Sequence, residues 1–149
     1  MQEYQRRGRK PVLDARVLVF CGTGNNGADG AAIARILHLR GISVSIITVG
    51  DRSRWTGEME RQISIDEKLG IAIEDFGGYL PGRFDVAVDA MFGVGLSREL
   101  EGEFREAVVF LSGLKPEFTV AVDIPSGICS ETGRILGAAV EADLTVPRL

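Results

Sequence analysis

Several residue types that mark particular classes of protein are scarce in this chain. It has one histidine, His38, and two cysteines, Cys21 and Cys129, among 149 residues. Histidine and cysteine supply most zinc and iron ligands, so their scarcity excludes a zinc or iron centre of the usual kind. The two cysteines lie far apart, and we expect reduced thiols. A catalytic thiol has little support, because His38 lies in the middle of a predicted helix.

Long hydrophobic runs are missing as well. No stretch approaches the roughly eighteen apolar residues of a membrane-spanning helix. No apolar segment follows the charged and polar first ten residues, as it would in a signal peptide. The formal net charge of −4 argues against a general binder of nucleic acid or of acidic membranes. We therefore expect a cytoplasmic protein with no nucleic-acid partner and no membrane partner.

Glycine, in contrast, is abundant. The chain has 19 glycines, most of them where predicted strands end, within an otherwise ordinary globular composition of 45% hydrophobic and 26% charged residues. A chain of 149 residues fits one domain. We assign residues 1–15 to a basic N-terminal arm and residues 16–149 to a single domain.

Strands and helices are predicted to alternate along this domain. Apolar runs at 16–21 and 43–49 are each followed by a helical pattern. Two later runs, Phe84–Asp89 and Phe118–Asp123, share the pattern Phe-x-Val-Ala-Val-Asp and lie 34 residues apart, about one strand–helix–strand unit. Such nearly continuous apolar runs are typical of parallel strands covered on both faces. The sequence therefore predicts an α/β fold: a three-layer, Rossmann-like, doubly wound, mostly parallel sheet with helices on both faces.

A glycine-rich loop at 21–30 joins the first strand to the first helix. Its glycines fit the pattern G-x-G-x-x-G at Gly22, Gly24 and Gly27, which is by itself a weak signal for a dinucleotide. Glycine lets the backbone approach a ligand closely, and a helix N-terminus favours an anion. The alternative is a tight turn that needs glycine only for packing. Two asparagines and an aspartate in the same loop favour a phosphate-bearing ligand.

Two predicted strands end in a carboxylate, at Asp89 and Asp123. Because the carboxyl ends of parallel strands meet at one edge of a sheet, we expect the two groups in one crevice with the glycine loop. Each either caps its own loop, or the pair divides the work, one holding a cation and the other performing acid–base chemistry. Asn26 and Ser126 add hard oxygen ligands at the same edge.

Four segments, in order along the chain, carry a specific resemblance: Cys21–Gly30, Val88–Arg98, Val122–Gly127 and Gly137–Thr145. Together they resemble the NAD(P)HX epimerase family, also called the YjeF N-terminal domain. The resemblance implies an isomerase that interconverts the R and S forms of hydrated NADH and NADPH, NAD(P)HX, in nicotinamide nucleotide repair. It implies that a dehydratase then restores the cofactor from one epimer. It also admits a homodimer.

The resemblance further implies roles for individual residues, with potassium as the bound ion. The positions that match substrate-binding residues are Asn25, Asn26, Gly27, Ala28, Asp29, Gly93, Val94, Gly95, Leu96, Ser97, Arg98, Glu99 and Asp123. The positions that match potassium ligands are Asn26, Asp89 and Ser126. We assign the catalytic role to Asp123, as the acid and then the base.

The sequence departs from the family pattern at three points. Ala28 replaces a glycine that is usual in the loop, where its methyl group either crowds a phosphate or favours the helix. About fifteen residues precede the first strand, and the chain stops at Leu149, so we allow for a domain trimmed at both ends. Two other functions stay open: a non-catalytic nucleotide-binding or scaffold module of the same fold, and an NAD-binding oxidoreductase domain with Asp51 on a ribose hydroxyl.

Overall fold

A computed structural model describes residues 14–78, 82–92, 102–123, 126 and 140–146. The strands are β1 (Arg16–Cys21), β2 (Ser43–Thr48), β3 (Ala72–Asp75), β4 (Val86–Ala90), β5 (Phe118–Val122) and β6 (Leu144–Val146). The helices are α1 (Asn25–Leu39), α2 (Gly57–Lys68) and α3 (Gly102–Leu114). The six strands form one sheet in the order β3-β2-β1-β4-β5-β6, and every neighbouring pair is parallel. The predicted Rossmann-like α/β class is confirmed.

Alternate side chains of β1 show how the two faces of the sheet are covered. Val17, Val19 and Cys21 belong to a buried cluster that includes residues of α1 and α2. Leu18 and Phe20 belong to a second cluster that includes residues of α3. Successive side chains of a strand point to opposite faces, so a strand that is apolar throughout needs cover on both. The three layers follow from that requirement.

The parallel arrangement brings several strand ends together beside β1. The N–H of Gly22, just after β1, donates a hydrogen bond of 3.0 Å to the carbonyl of Ala90 at the end of β4. On the other side, the N–H of Val49 donates to the carbonyl of Cys21 at 2.9 Å. The chain runs outward from β1 through β2 to β3 and then returns to β4. The junction of β1 and β4 is therefore the switch point where ligands of such sheets bind.

Helix α2 packs on α1 through a face that includes a carboxylate. Thr56 caps the helix, because its Oγ1 accepts from the N–H of Met59 at 3.2 Å. The Asp66 side chain has no exposed surface, and its Oδ1 accepts from Nη1 of Arg35 in α1 at 3.2 Å. Its Oδ2 is buried without a hydrogen-bond partner among the described residues. Burial raises the pKa of Asp66 to about 6, although Arg35 opposes the shift.

We expect Asp66 to make the fold less stable as the pH rises from about 4 to about 6. Its pKa is raised above the value of about 3.9 in an unfolded chain, so the folded state binds the proton more tightly. The resulting stabilisation is complete below about pH 4 and is lost as the pH passes about 6. Asp66→Asn should abolish this pH-dependent loss of stability, which we expect to be about 1–3 kcal/mol in the unaltered protein, measured by urea unfolding across this range. Glu60→Gln, on the exposed face of α2, is the control; an unchanged pH dependence in Asp66→Asn would contradict the expectation.

None of the helices within the described ranges combines the length and the apolar character needed to cross a membrane. The basic arm predicted at residues 1–15 lies outside the described residues except for its last two positions. The cytoplasmic location and the domain boundaries stay predictions.

Candidate functional site

The glycine loop is packed directly against the end of β4. A Cβ atom on Gly22 would lie 2.1 Å from the carbonyl oxygen of Met91, and one on Gly27 would lie 2.1 Å from the carbonyl oxygen of Gly22. Packing therefore explains both of these glycines. A Cβ atom on Gly24 would meet no described atom within 4 Å. Within the described part of the chain, the space beside this third glycine is free for a ligand to approach the backbone.

Asn26, which is buried in the first turn of α1, connects this helix to the ends of two strands. Its Nδ2 donates to the carbonyl of Phe92 at 2.7 Å and to that of Val122 at 3.4 Å. Its Oδ1 is buried and accepts no hydrogen bond from the part of the chain that the structure describes. Buried polar atoms without a partner are rare in proteins. A buried amide oxygen of this kind suits a hard cation.

Asp89, at the end of β4, is fully buried and well supplied with donors. Its Oδ2 accepts from the N–H of Ser126 at 2.6 Å, and its Oδ1 accepts from Oγ of Ser126 at 2.6 Å. The N–H of Met91 also donates to Oδ1, at 3.1 Å. Burial raises the pKa of Asp89, and these hydrogen bonds oppose the shift. The N–H of Phe92 donates to Oγ of Ser126 at 3.1 Å, so the backbone of one residue links Asn26 to the Asp89–Ser126 pair.

Asp123 comes directly after β5 at the rim of this network. Its φ is +74°, in the left-handed region that residues with a side chain rarely adopt, and its side chain is half-buried. Its N–H donates to the carbonyl of Val146 at 2.6 Å, so β6 holds the residue in this conformation. Strained backbone of this kind is concentrated at functional sites. The preceding residue, Val122, is the one whose carbonyl accepts from Asn26.

The other predicted site residues fall into three groups. Asn25 is exposed and Asp29 is partly exposed, at the outer side of the loop. Gly27 and Ala28 are buried, and the methyl group of Ala28 belongs to the core cluster of α1 and α2. That methyl group therefore contributes to packing of the helix. The predicted residues of the second loop lie outside the described residues: Gly93, Val94, Gly95, Leu96, Ser97, Arg98 and Glu99.

The sequence did not indicate that Thr56 belongs to this region. Besides capping α2, its N–H donates to the carbonyl of Thr23 at 3.1 Å, and its Oγ1 donates to Oδ1 of Asn25 at 3.2 Å. The carbonyls of Phe92 and Val122 were missed for a related reason. Every residue has a backbone carbonyl, and hydrogen bonds between residues far apart in the chain leave no pattern in a single sequence.

Two findings bear on whether the site uses a thiol nucleophile or a cluster of metal ligands. Cys21 is a free thiol, and burial raises its pKa, which suits a packing role and not a nucleophile; Cys129 lies outside the described residues. Within the described ranges, no group of three or more His, Cys, Asp or Glu side chains is placed to bind a metal. The candidate cation site therefore depends on amide and hydroxyl oxygens with a single carboxylate, Asp89.

Known proteins match almost the whole chain. The family model described as YjeF-related protein N-terminus matches residues 5–147. The NAD(P)H-hydrate epimerase of Limosilactobacillus fermentum is 39% identical over 131 residues, which cover 88% of this chain and 62% of the relative. A protein of the same name from Levilactobacillus brevis is 41% identical over 131 residues, 87% of this chain and 60% of the relative. The bifunctional NAD(P)H-hydrate repair enzyme Nnr of Thermofilum pendens is 41% identical over 141 residues, 90% of this chain and 27% of the relative.

This chain thus spans about 60% of the length of the curated epimerases that it matches. The matched range contains the glycine loop, both strand-end carboxylates and Ser126, which the fold gathers at one edge of the sheet. The resemblance stated from the four motifs is confirmed. This chain belongs to the family of YjeF-related protein N-terminal domains.

Proposed function

We propose that this chain is an isomerase that interconverts the R and S forms of hydrated NADH and NADPH, as a step in nicotinamide nucleotide repair. Two curated relatives at about 40% identity are named NAD(P)H-hydrate epimerase, which supports the proposal. The observation that carries it is the left-handed backbone of Asp123, held beside the network of Asn26, Asp89 and Ser126. This arrangement places a partly exposed aspartate directly after β5, the strand that pairs with the one carrying the buried Asp89.

The pyrophosphate of the substrate would lie over Gly24. This residue precedes a fifteen-residue helix, and a Cβ atom on it would meet no described atom within 4 Å. The first N–H groups of a helix have no partner within the helix, and the helix dipole favours an anion there. Asn25 and Asp29, on the outer side of the loop, would bind the ribose next to it. The nicotinamide end would then extend toward β4 and β5, where Asp123 lies.

The proposed reaction inverts one carbon and needs no oxidant. The hydrated carbon carries a hydroxyl group next to the ring nitrogen. Asp123 gives a proton to that hydroxyl, the C–O bond breaks, and water leaves. The lone pair of the ring nitrogen stabilises the planar, iminium-like ring that results. Water then adds to the opposite face, and the Asp123 carboxylate takes the proton that this water releases, which restores the starting state.

A potassium ion would be held by Asn26, Asp89 and Ser126. The fit rests on the buried Oδ1 of Asn26, which has no hydrogen-bond partner among the described residues, and on the hard oxygen donors around it. When bound, the ion supplies a positive charge that favours the ionised form of the buried Asp89. The three residues come from α1, β4 and the segment after β5, so they would also fix the relative positions of these elements.

The proposed partner is a dehydratase that consumes one of the two epimers. The Thermofilum pendens relative is named a bifunctional repair enzyme, and this chain matches 27% of its length. That combination supports a second repair activity working with the first. A homodimer stays a prediction.

The proposal is tested by following purified hydrated epimers by chromatography, with and without the protein and in potassium or sodium buffer. We expect the protein to equilibrate a single epimer much faster than the spontaneous reaction, and potassium to increase the rate. Binding of the substrate without interconversion would favour a scaffold module. Turnover of NAD with a reducing substrate would favour an oxidoreductase domain.

Replacement of Asp89 should weaken the response to potassium. Asp89→Asn removes the negative charge and keeps an oxygen that accepts from Ser126. We expect half-maximal activation to need at least about tenfold more potassium, because a charged ligand is lost.

Independently of activity, potassium should raise the unfolding temperature of the unaltered protein relative to sodium, and this shift should vanish in Asp89→Asn. Asp66→Asn, which also changes a buried aspartate but lies away from the site, should keep both responses. If potassium raised the unfolding temperature of Asp89→Asn as much as that of the unaltered protein, Asp89 would not be a potassium ligand.

A further inference from the structure

The segment Gly50–Thr56, between β2 and α2, lies next to the glycine loop. Two hydrogen bonds join them, from the N–H of Thr56 to the carbonyl of Thr23 and from Oγ1 of Thr56 to Oδ1 of Asn25. A Cβ atom on Gly50 would lie 2.8 Å from Cγ2 of Thr23, which confirms how closely the two segments pack. A ligand lying on the glycine loop would therefore extend over this segment or over the ends of β4 and β5.

The sheet order decides which end of a dinucleotide lies on which side. Asp89 lies at the end of β4 and Asp123 follows β5, on one side of β1, and Gly50–Thr56 follows β2, on the other side. If the nicotinamide ring lies at the two carboxylates, the pyrophosphate on the loop after β1 directs the adenosine toward β2. The end of this second strand is also where such folds distinguish a ribose hydroxyl from a 2′-phosphate, by an acidic residue or an arginine.

Both kinds of side chain are present here, and the two arginines differ in the contacts they make with the described residues. Arg52 is held in place: its Nε is 3.0 Å from Oδ1 of Asp75, and its guanidinium lies over the Trp55 ring, 4.6 Å from the centroid. Arg54 is exposed and makes no hydrogen bond or ion pair through its side chain within the described ranges. Asp51 is exposed too, and its Oδ1 accepts from the N–H of Ser53 at 2.9 Å. The backbone N–H and the hydroxyl of Ser53 lower the pKa of this carboxyl group, and the nearby Arg54 lowers it further by a smaller amount.

We propose that Gly50–Thr56 binds the adenosine end of the substrate, with Arg54 on the 2′-phosphate of NADPHX and Asp51 on the 2′-hydroxyl of NADHX. The inference rests on the proposed function, because the nicotinamide end must lie at Asp123 for the adenosine to lie here. An arginine binds phosphate through paired N–H donors, and a carboxylate accepts from a hydroxyl. One segment then accepts both forms of the substrate, each through a different side chain.

The two side chains predict opposite changes in substrate preference. Arg54→Ala should raise the KM for NADPHX about tenfold and change the KM for NADHX less than about twofold, with kcat unchanged for both. Arg54→Lys should recover part of the loss. Asp51→Asn keeps an oxygen to cap the turn but removes the charge, so it should raise the KM for NADHX and lower that for NADPHX. Arg40→Ala is the matched control, since it removes an exposed arginine at the other end of α1.

Calorimetry with NAD⁺ and NADP⁺ as non-reacting probes separates this proposal from the catalytic one. Even if the whole chain interconverts no epimers, Arg54→Ala should weaken NADP⁺ about tenfold and leave NAD⁺ within about twofold. Equal losses for the two nucleotides, no loss for either, or a failure of the unaltered protein to bind NADP⁺ would each overturn the assignment of Arg54. A loss in Arg40→Ala as large as in Arg54→Ala would overturn it as well, because it would indicate a general effect of charge.

Discussion

Asp123→Asn should reduce the rate of epimerisation by at least about 100-fold, because a positioned acid–base group contributes about 10²–10⁴-fold to such a step. The substitution removes the ionisable group and changes little else. Asparagine has nearly the same shape as aspartate and is among the few residues that tolerate φ near the observed +74°. The hydrogen bond from the N–H of residue 123 to the carbonyl of Val146 does not involve the side chain and should persist. The variant should therefore fold normally and bind substrate.

The measurement that separates chemistry from binding is a comparison of kcat with affinity. In Asp123→Asn we expect kcat to fall while the affinity for NADP⁺, measured by calorimetry, changes less than about threefold, since the lost group acts mainly in the transition state. Asp14→Asn, an exposed aspartate before β1 at the opposite edge of the sheet, controls for a change of charge. A folded Asp123→Asn variant that interconverts the epimers at the normal rate would exclude Asp123 as the acid and base.

The glycine loop should divide into positions needed for stability and a position needed for binding. Gly22→Ala should lower the free energy of unfolding by about 3 kcal/mol, because the new Cβ would lie 2.1 Å from the Met91 carbonyl oxygen. Gly27→Ala should cost a similar amount, since its Cβ would meet the carbonyl oxygen of Gly22. Both obstacles are backbone atoms, which cannot rotate away as the end of a side chain can. The loop or the end of β4 would have to move.

Gly24→Ala is the matched control for both changes. A Cβ atom there meets no described atom within 4 Å, and the residue has φ −100°, which alanine adopts readily. Its stability should fall by about 1 kcal/mol or less, which is the cost of alanine at a helix N-cap. The affinity of Gly24→Ala for NADP⁺ should nevertheless be clearly reduced, because the methyl group would occupy the space proposed for the pyrophosphate. Equal stability losses in all three variants, measured by urea unfolding, would contradict this division.

Prediction from sequence succeeded for segments with a regular hydrophobic pattern. Phe84–Asp89 and Phe118–Asp123 were predicted as parallel strands because they are apolar at nearly every position, and β4 and β5 are now observed as paired neighbours. The same rule predicted that their carboxylates share one edge with the glycine loop. The hydrogen bonds of Asn26 and Ser126 bring Asn26, Asp89 and Ser126 together there, and Asp123 follows at their rim. A parallel sheet allows few arrangements, so correct strands are enough to bring these side chains to one edge, and their roles in a site stay a prediction.

Prediction was incomplete where a residue's role depends on a single distant partner. Asp66 follows no apolar pattern, yet it is fully buried, because Arg35 of the neighbouring helix pairs with it. Thr56 contacts Asn25, which lies 31 residues earlier in the chain. No local pattern records such a contact, since its energy depends on distances that only the packed chain fixes.

The sequence by itself determined the strands, the glycine loop and the types of side chain at the edge of the sheet, because hydrophobic periodicity and strand order depend on local composition. Only the tertiary structure decided which glycines are packed and which is open, and that Asn26 keeps a buried oxygen without a described partner. It also decided that Asp123 adopts a left-handed backbone, and that Arg52 pairs with Asp75 whereas the Arg54 side chain makes no hydrogen bond or ion pair within the described ranges. These properties are set by contacts between atoms far apart in the chain, at a precision of tenths of an ångström, and no residue type specifies them in advance.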